Sequence, residues 1–289
     1  MHGGPLFREP VVIDAAVEEG IHELEAIAPL HNAPALRAIR EARSAQPHVP
    51  HVAVFDTAFH ATIPEEARTY AVPLRWRDEW GIRRYGFHGL SVQWAAEQVS
   101  GPRLVVCHLG GGCSVTAVRD GRSVATTMGF TPLEGVPMAT RSGSVDPGAL
   151  LHLLRSGLLT LDELDDALEH QSGLLALTGT DNARRLEAGT LALAVLAHRV
   201  AEAVAAMATA CAGLDALVFT AGIGEGSALV RAEVCSRLPF LGVELDPERN
   251  DRAEPDADVQ APGSSVRVVV IRAREEIVAA RAARSLLCS

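Results

Sequence analysis

The chain has 289 residues, enough for one large domain or two smaller ones, and 48% of them are hydrophobic, as in folded globular proteins. Its formal net charge of −10 argues against binding to nucleic acid or to an anionic membrane, because both need a basic surface. All 26 basic residues are arginine, which excludes a lysine-bearing P-loop and a lysine Schiff base.

Cysteine usage and hydropathy indicate the setting of the protein. The five cysteines are odd in number and lack metal-ligand spacing, so we expect a reduced, cytoplasmic interior. The longest apolar run, residues 190–214, is interrupted by His198, Arg199 and Glu202 and predicts a buried helix, not a membrane span. The first residues lack the pattern of a signal peptide.

The first elements of the chain predict two helices and a short strand. Asp14 is placed to cap a helix that runs through Glu23, and residues 33–45 have the pattern of a second amphipathic helix. Residues 51–55 predict a buried strand that ends at Asp56. A carboxylate at the end of a strand lies where open α/β sheets bind ligands, although a capping or turn aspartate would have the same pattern.

A histidine between two glycines marks the next segment. His88 follows Gly86 and Phe87 and precedes Gly89, which predicts a loop. A functional and a structural histidine are equally compatible with this pattern. Ser91 is then placed to cap a helix that ends at Val99.

The stretch from Leu104 to Pro147 has the features of a phosphate site. An apolar strand is followed by three successive glycines, Gly110–Gly112, which let the backbone approach a ligand and turn its N–H groups toward an anion. Strands at 114–119 and 122–126, joined by an Asp-Gly turn, predict a hairpin. Since Arg141 follows within the same stretch, the pattern predicts phosphoryl transfer.

The C-terminal half predicts a second glycine-rich site. A strand at 216–219 is followed by a glycine-rich loop at 220–227, which is typical of nucleotide or anion binding when a helix comes next. Residues 246–265 predict a polar surface excursion, and 266–271 a last strand. Helices are predicted at residues 147–155, 160–170, 190–211, 228–238 and 275–287.

Several of these segments, taken in chain order, resemble motifs of acetate kinases. They are residues 55–60, 84–89, 108–112, 128–135, 140–143 and 219–225. The resemblance runs from His2 almost to the C-terminus, and the chain is therefore similar to the acetate/propionate kinase family.

The resemblance implies an α/β fold of the actin/hexokinase/Hsp70 class (ribonuclease H-like), with two domains around a nucleotide cleft. Residues 1–100 would form the remainder of the N-terminal domain and residues 101–289 the C-terminal nucleotide-binding domain, with the final helix able to pack back on the first. It also implies a homodimer that transfers a phosphoryl group between ATP and acetate with Mg²⁺ as cofactor.

Motif matching implies the site residues. Asp56, His88 and Arg141 take the catalytic positions, and Glu275 is a metal-linked carboxylate. The positions that line the small apolar acetate pocket are Leu30, Phe87 and Pro132. The nucleotide and phosphate positions are His108, Gly110, Gly111, Gly112, Asn182, Arg184, Gly222, Ile223 and Gly224.

The chain departs from the family pattern at its start and inside. The family's first strand, its phosphate turn and a catalytic arginine precede the position of Met1, so we expect an incomplete first domain and a misplaced start or a truncated gene. Polar residues of the family are replaced by Val92, Gly111, Asn182, Gly226 and Arg274.

These departures leave several functions open. Retention of Asp56, His88 and Arg141 favours an active acetate kinase, whereas the replaced positions favour an inactive remnant or a binding subunit that needs a partner fragment. A propionate kinase is a further alternative, because one methylene in a pocket is worth only about 1–3 kcal/mol. A sugar kinase of the same fold class is disfavoured by the apolar character of Phe87 and Pro132.

Overall fold

The computed structural model describes residues 1–27, 29–182 and 185–288, and its described side chains exclude those of residues 26 and 29–31. Helix α1 (Ala15–Glu23) begins as predicted, because the Asp14 side chain accepts a hydrogen bond from the Val17 N–H at 2.8 Å. Helix α2 (Pro29–Ala45) follows. Strands β1 (Val11–Val12) and β2 (Val52–Ala53) pair antiparallel beside these helices.

The strand predicted at 51–55 is only two residues long. Phe55 leaves the pairing and is buried with its ring stacked on Phe7, with 4.6 Å between the ring centroids. The chain then turns through a 3₁₀ helix (Ala58–Thr62). The short helices α3 (Glu65–Arg68) and α4 (Leu74–Asp78) lead to α5 (Gly89–Gln98). The strand therefore ends at Ala53, before Asp56 is reached.

A six-stranded mixed sheet forms the centre of the fold. Its strands are β3 (Arg103–Leu109), β4 (Cys113–Arg119), β5 (Arg122–Thr126), β6 (Ala216–Thr220), β7 (Ala257–Asp258) and β8 (Arg267–Val270). They lie in the order β5-β4-β3-β6-β8-β7; β3 and β6 are parallel, as are β6 and β8. The predicted hairpin is confirmed, since Asp120 and Gly121 have the positive φ angles (51° and 74°) of a tight two-residue turn.

The remaining helices are arranged around this sheet. They are α6 (Pro147–Arg155), α7 (Leu161–His170), α8 (Gly173–Thr178), α9 (Leu191–Ala210), α10 (Ala221–Gly226), α11 (Ala228–Cys235), α12 (Pro247–Asp251) and α13 (Glu275–Cys288). The predicted start of α7 is confirmed, because Thr160 and Glu163 form a reciprocal capping box. Two predictions are wrong: residues 220–227 contain helix α10 where a loop was expected, and α12 and β7 interrupt the expected surface excursion.

Helices cover both faces of the sheet, which confirms the predicted α/β class. Val105 and Cys107 of β3 pack in the cluster that contains α9 and α11, whereas Leu104 and Val106 pack with α5 and α13. Helix α9 is long and apolar enough to cross a membrane by composition, but its side chains include many that are buried in the core. This burial agrees with the prediction of a core helix.

The first hundred residues are in direct contact with the C-terminal helix. Arg281 of α13 donates a hydrogen bond to Glu97 of α5 at 3.0 Å, and its guanidinium lies 5.3 Å from the centre of the Trp94 ring. The division of the chain at residue 100 stays a prediction.

Candidate functional site

A cavity opens at the carboxyl ends of the parallel strands β3 and β6. It has a volume of about 720 Å³ and lies between the glycines that follow β3 and the helix α10 that follows β6. Open α/β sheets bind ligands at this edge. The lining residues are Gly110, Gly111, Ala139, Asp181, Asn182, Leu186, Gly222, Ile223, Gly226, Ser227, Ala228 and Leu229.

The cavity brings together most of the residues expected to bind nucleotide. Gly110, Gly111, Asn182, Gly222 and Ile223 line it. His108, Gly112 and Gly224 belong to the same two segments but are not among its lining residues. Arg184 lies outside the described residues. Ser227, at the end of the glycine-rich segment 220–227, also lines the cavity, as do Ala139, Asp181 and Leu229, which no motif had indicated.

The glycine segment after β3 has one open and one crowded position. A Cβ built on Gly111 would meet nothing within 4 Å, so this position has room for a longer side chain. A Cβ built on Gly112 would lie 3.0 Å from His88 Nε2 and 3.6 Å from Arg141 Nη2. A side chain at 112 would therefore press on the His88 ring, which would have to shift by a few tenths of an ångström, whereas one at 111 would meet no neighbour.

Asp56 holds the first turn of α5. Its Oδ2 accepts a hydrogen bond from the His88 backbone N–H at 2.6 Å, and its Oδ1 accepts one from Leu90 at 3.4 Å. An anion at a helix N-terminus is stabilised by the N–H groups and the helix dipole. Asp56 is thus a cap, as its simpler interpretation predicted, and it also fixes the position of the candidate catalytic histidine.

His88 is held in an unusual backbone conformation. It precedes α5 with φ 59° and ψ 25°, a left-handed conformation that costs free energy for a residue other than glycine. The prediction that Ser91 caps this helix is wrong, because the helix begins at Gly89 and Ser91 lies buried within it. The contact with Asp56 offsets the cost and aims the imidazole toward the glycine segment.

A second histidine supports the ring of His88. The two rings of His88 and His108 are stacked, with 3.9 Å between centroids and 16° between planes. His108 Nδ1 lies 2.8 Å from Ser91 Oγ, and His88 Nδ1 lies 3.0 Å from Ser114 Oγ. Burial lowers the pKa of His108 well below its usual value, and the neighbouring His88 lowers it further. His108 is therefore a neutral, buried support.

Arg141 is the second group that faces Gly112. Its Nη1 donates to the Pro132 carbonyl at 2.9 Å, and its side chain is only 15% exposed. Since His88 Nε2 and Arg141 Nη2 both approach the same glycine, they border one small volume. Two nitrogen donors around such a volume suit an anionic oxygen, such as that of a phosphoryl group.

Asp56 and Glu275 are two carboxylates close enough for their charges to interact. Burial raises the pKa of Glu275, and the negative charge of Asp56 raises it further. Mg²⁺ is typically held by one or two carboxylates together with substrate phosphates and water. Within the described residues no group of three histidine, cysteine or acidic side chains could hold a metal. The pair therefore fits a cation that the nucleotide phosphates share.

Two of the three residues expected to line an acetate pocket lie beside the candidate catalytic groups. Phe87 is buried, with its ring edge-on to His2 at 5.2 Å between centroids. Pro132 is buried and provides the carbonyl that holds Arg141. The Leu30 side chain lies outside the described residues. Their role as a pocket wall stays a prediction.

The loop around Pro132 is held by Arg84, Tyr70 and Glu134, which were not among the predicted site residues. Arg84 Nη1 donates to the carbonyls of Thr127 and Met128, at 2.7 and 3.0 Å, and its Nη2 lies 2.6 Å from Glu134 Oε1. The Tyr70 hydroxyl also donates to Glu134. Arg84 and Glu134 both belong to segments that resemble the family, which was the one available signal.

We expect Gly112→Ala to lower turnover by roughly tenfold to a hundredfold, because the new methyl group occupies the volume that His88 and Arg141 border. Gly111→Ala, one residue earlier, is expected to have a much smaller effect. The measurement is kcat for both variants, with circular dichroism to confirm that each is folded. Equal losses would contradict a role for this volume in binding an anionic oxygen.

The sequence and the structure are similar to known kinases. Residues 1–281 match the model of the Acetokinase family. An acetate kinase from Gloeobacter violaceus is 47% identical over 300 residues, which cover 97% of this chain and 74% of the relative. An acetate kinase from Leifsonia xyli is also 47% identical, with 98% and 76% covered.

Solved structures show the same similarity. A propionate kinase from Francisella tularensis superposes with a TM-score of 0.91 at 38% identity, covering 98% of this chain and 76% of the other. An acetate kinase from Porphyromonas gingivalis gives a TM-score of 0.91 at 33% identity, with 99% and 76% covered. The chain thus spans about three quarters of each relative.

Proposed function

The chain belongs to the acetokinase family, and on that premise we propose that it catalyses reversible phosphoryl transfer between ATP and acetate. The observation that carries the proposal is the approach of His88 Nε2 and Arg141 Nη2 to one glycine, Gly112. That glycine follows β3, in the segment that lines the large cavity. The cavity would hold the nucleotide, and the two donors would face the transferred group.

The proposed reaction needs little acid–base chemistry. Acetate is already ionised at neutral pH, so its carboxylate attacks phosphorus without a general base. Catalysis then depends on alignment and on neutralisation of charge. Arg141 binds the carboxylate or an equatorial phosphoryl oxygen, and His88 donates to another oxygen from Nε2. Asp56 keeps His88 in place by accepting its backbone N–H.

Mg²⁺ is the proposed cofactor. Asp56 and Glu275 would hold it, through water or directly, beside the nucleotide phosphates. When bound, the ion would neutralise charge on the phosphoryl groups. The raised pKa of Glu275 beside Asp56 supports this site, since a cation there relieves the repulsion between the two carboxylates.

Acetate is proposed over propionate because relatives at 42–47% identity are acetate kinases. A propionate kinase is among the similar structures, at 38% identity. The two acids differ by one methylene, so both belong in the same assay.

The test is formation of acyl phosphate, trapped with hydroxylamine, from ATP, Mg²⁺ and either acetate or propionate. We expect product with acetate, and a loss of about 10²–10³ in rate for His88→Ala because one oxyanion donor is removed. Wild-type product no greater than that of His88→Ala would overturn the proposal and favour a binding role. Faster turnover of propionate would reassign the substrate alone.

A cytoplasmic homodimer is the proposed state. The five cysteines are free and four of them are buried, which suits a reducing compartment. Exposed apolar side chains near α6, at Leu151, Leu158 and Leu161, offer a surface that a second copy could cover. Light scattering that returns a monomer mass would contradict the dimer.

A further inference from the structure

Glu169 is a largely buried acid that the proposed mechanism does not use. It lies in the last turn of α7, with 18% of its side chain exposed. Its Oε2 is buried and has no hydrogen-bond partner among the described residues. A buried carboxylate oxygen without such a partner costs free energy, so a compensating charge is expected nearby.

That charge is Arg141. Glu169 Oε2 lies 3.7 Å from Arg141 Nε, which is an ion-pair distance but too long for a hydrogen bond. The guanidinium is therefore fixed at two of its nitrogens, Nη1 by the Pro132 carbonyl and Nε by the Glu169 charge. Because the guanidinium is planar and rigid, fixing two nitrogens sets the direction of the third, Nη2.

The backbone around Arg141 is anchored separately from the Glu169 side chain. Thr140 Oγ1 donates to the Glu169 carbonyl at 2.8 Å, and the Ser142 N–H donates to the Leu168 carbonyl at 3.0 Å. The Ser172 N–H donates to the Thr140 carbonyl at 2.9 Å. A substitution that changes only the Glu169 side chain leaves all three bonds in place.

We propose that Glu169 is a positioning residue that holds Arg141 Nε and so keeps Nη2 turned toward Gly112 and His88. The effect of Glu169 on catalysis rests on the proposed phosphoryl transfer, whereas the contact between Glu169 and Arg141 does not. Without the Glu169 charge the Arg141 guanidinium rotates about its side-chain bonds. The arrangement in which Arg141 Nη2 and His88 Nε2 both face Gly112 is then populated for a smaller fraction of the time.

The charge of Glu169 depends on pH. Burial raises its pKa above the usual glutamate value, Arg141 opposes this shift, and Asp165 and His170 of the same helix add smaller effects of opposite sign. Above this pKa the carboxylate is ionised and holds Arg141; as pH falls through it, the acid becomes neutral and the contact is lost. The orientation of Arg141 is therefore expected to weaken on the acid side.

NMR spectroscopy observes the Arg141 guanidinium directly and so tests the proposal. In the ¹H–¹⁵N spectrum of arginine Nε–H groups, the Arg141 signal is assigned by its loss in Arg141→Lys. We expect this signal to titrate with Glu169 in the wild type, and to become independent of pH in Glu169→Gln while the protein stays folded. A signal that responds neither to acid nor to Glu169→Gln would overturn the proposal.

Kinetics give the second readout. We expect Glu169→Gln to lower kcat by roughly tenfold with little change in KM for ATP, and to remove the acid limb of the kcat profile. Asp162→Asn, an exposed acid on the same helix, is the matched control and should leave both unchanged. An unchanged kcat in Glu169→Gln would overturn the positioning role. If the wild type forms no acyl phosphate, the proposed function fails, and the spectrum still decides the contact.

Discussion

Arg141→Ala is expected to lower kcat for acyl phosphate formation by about 10²–10³, the usual cost of removing one donor that stabilises a developing anion. Arg141 contributes Nη2 to the volume next to Gly112, and Nη1 binds the Pro132 carbonyl. Removing the side chain thus loses a charge at the reacting group and a link to the Pro132 loop. The measurement is the hydroxamate assay at saturating ATP, Mg²⁺ and acetate.

Two further variants separate charge from geometry. Arg141→Lys keeps the charge but lacks the planar fork, so we expect it to recover only part of the lost rate. Arg141→Ala also leaves Glu169 without its compensating charge, so the double variant with Glu169→Gln should be more stable than Arg141→Ala alone. Arg199→Ala, an exposed arginine of α9, is the control. Full activity in Arg141→Ala would remove Arg141 from the site.

Arg231→Ala is expected to lower the free energy of unfolding by about 3–5 kcal/mol, because it breaks a buried, charged hydrogen-bond network. Arg231 is only 2% exposed. Its Nη1 donates to the carbonyls of Gly224 and Glu225, at 2.9 and 2.8 Å, and its Nε and Nη2 donate to Asn250. Without these donors several buried oxygens are left unsatisfied, and a cavity remains.

Chemical denaturation measures this effect, with Arg237→Ala as the control. Arg237 follows the same helix, α11, but is 30% exposed and pairs with Glu233, so we expect a loss of only about 0.5 kcal/mol. Since Arg231 bonds to the last turn of α10, whose Gly222 and Ile223 line the cavity, nucleotide binding should weaken as well. Similar losses for the two arginines would show that the buried network contributes little.

Residues far apart in sequence meet at the site. Asp56 and His88 are 32 residues apart, and Arg84 and Glu134 are 50 apart. The resemblance to acetate kinases predicts Asp56, His88 and Arg141 as site residues from sequence alone. It did not indicate Ser91, Ser114 or Glu169, because these act on the named residues and not on a ligand.

Local sequence patterns correctly predicted the elements that depend on near neighbours. Asp14 starts α1, Thr160 and Glu163 start α7, and Asp120-Gly121 closes the hairpin, because each signal involves residues within a few positions of one another. A continuous apolar run after Arg103 likewise predicted β3 as a buried strand, and six of its seven residues are buried.

The arrangement of the glycine segments and the charged side chains depends instead on contacts between distant parts of the chain. Helix α10 (Ala221–Gly226) is stabilised because Glu225 accepts hydrogen bonds from Ala221 and from the distant Ala273, and Arg231 binds the last carbonyls. His88 adopts its left-handed conformation because Asp56 binds its backbone N–H. These contacts join segments that no local pattern relates, so they stabilise the protein only once the chain is folded. The approach of His88 and Arg141 to Gly112 has the same origin.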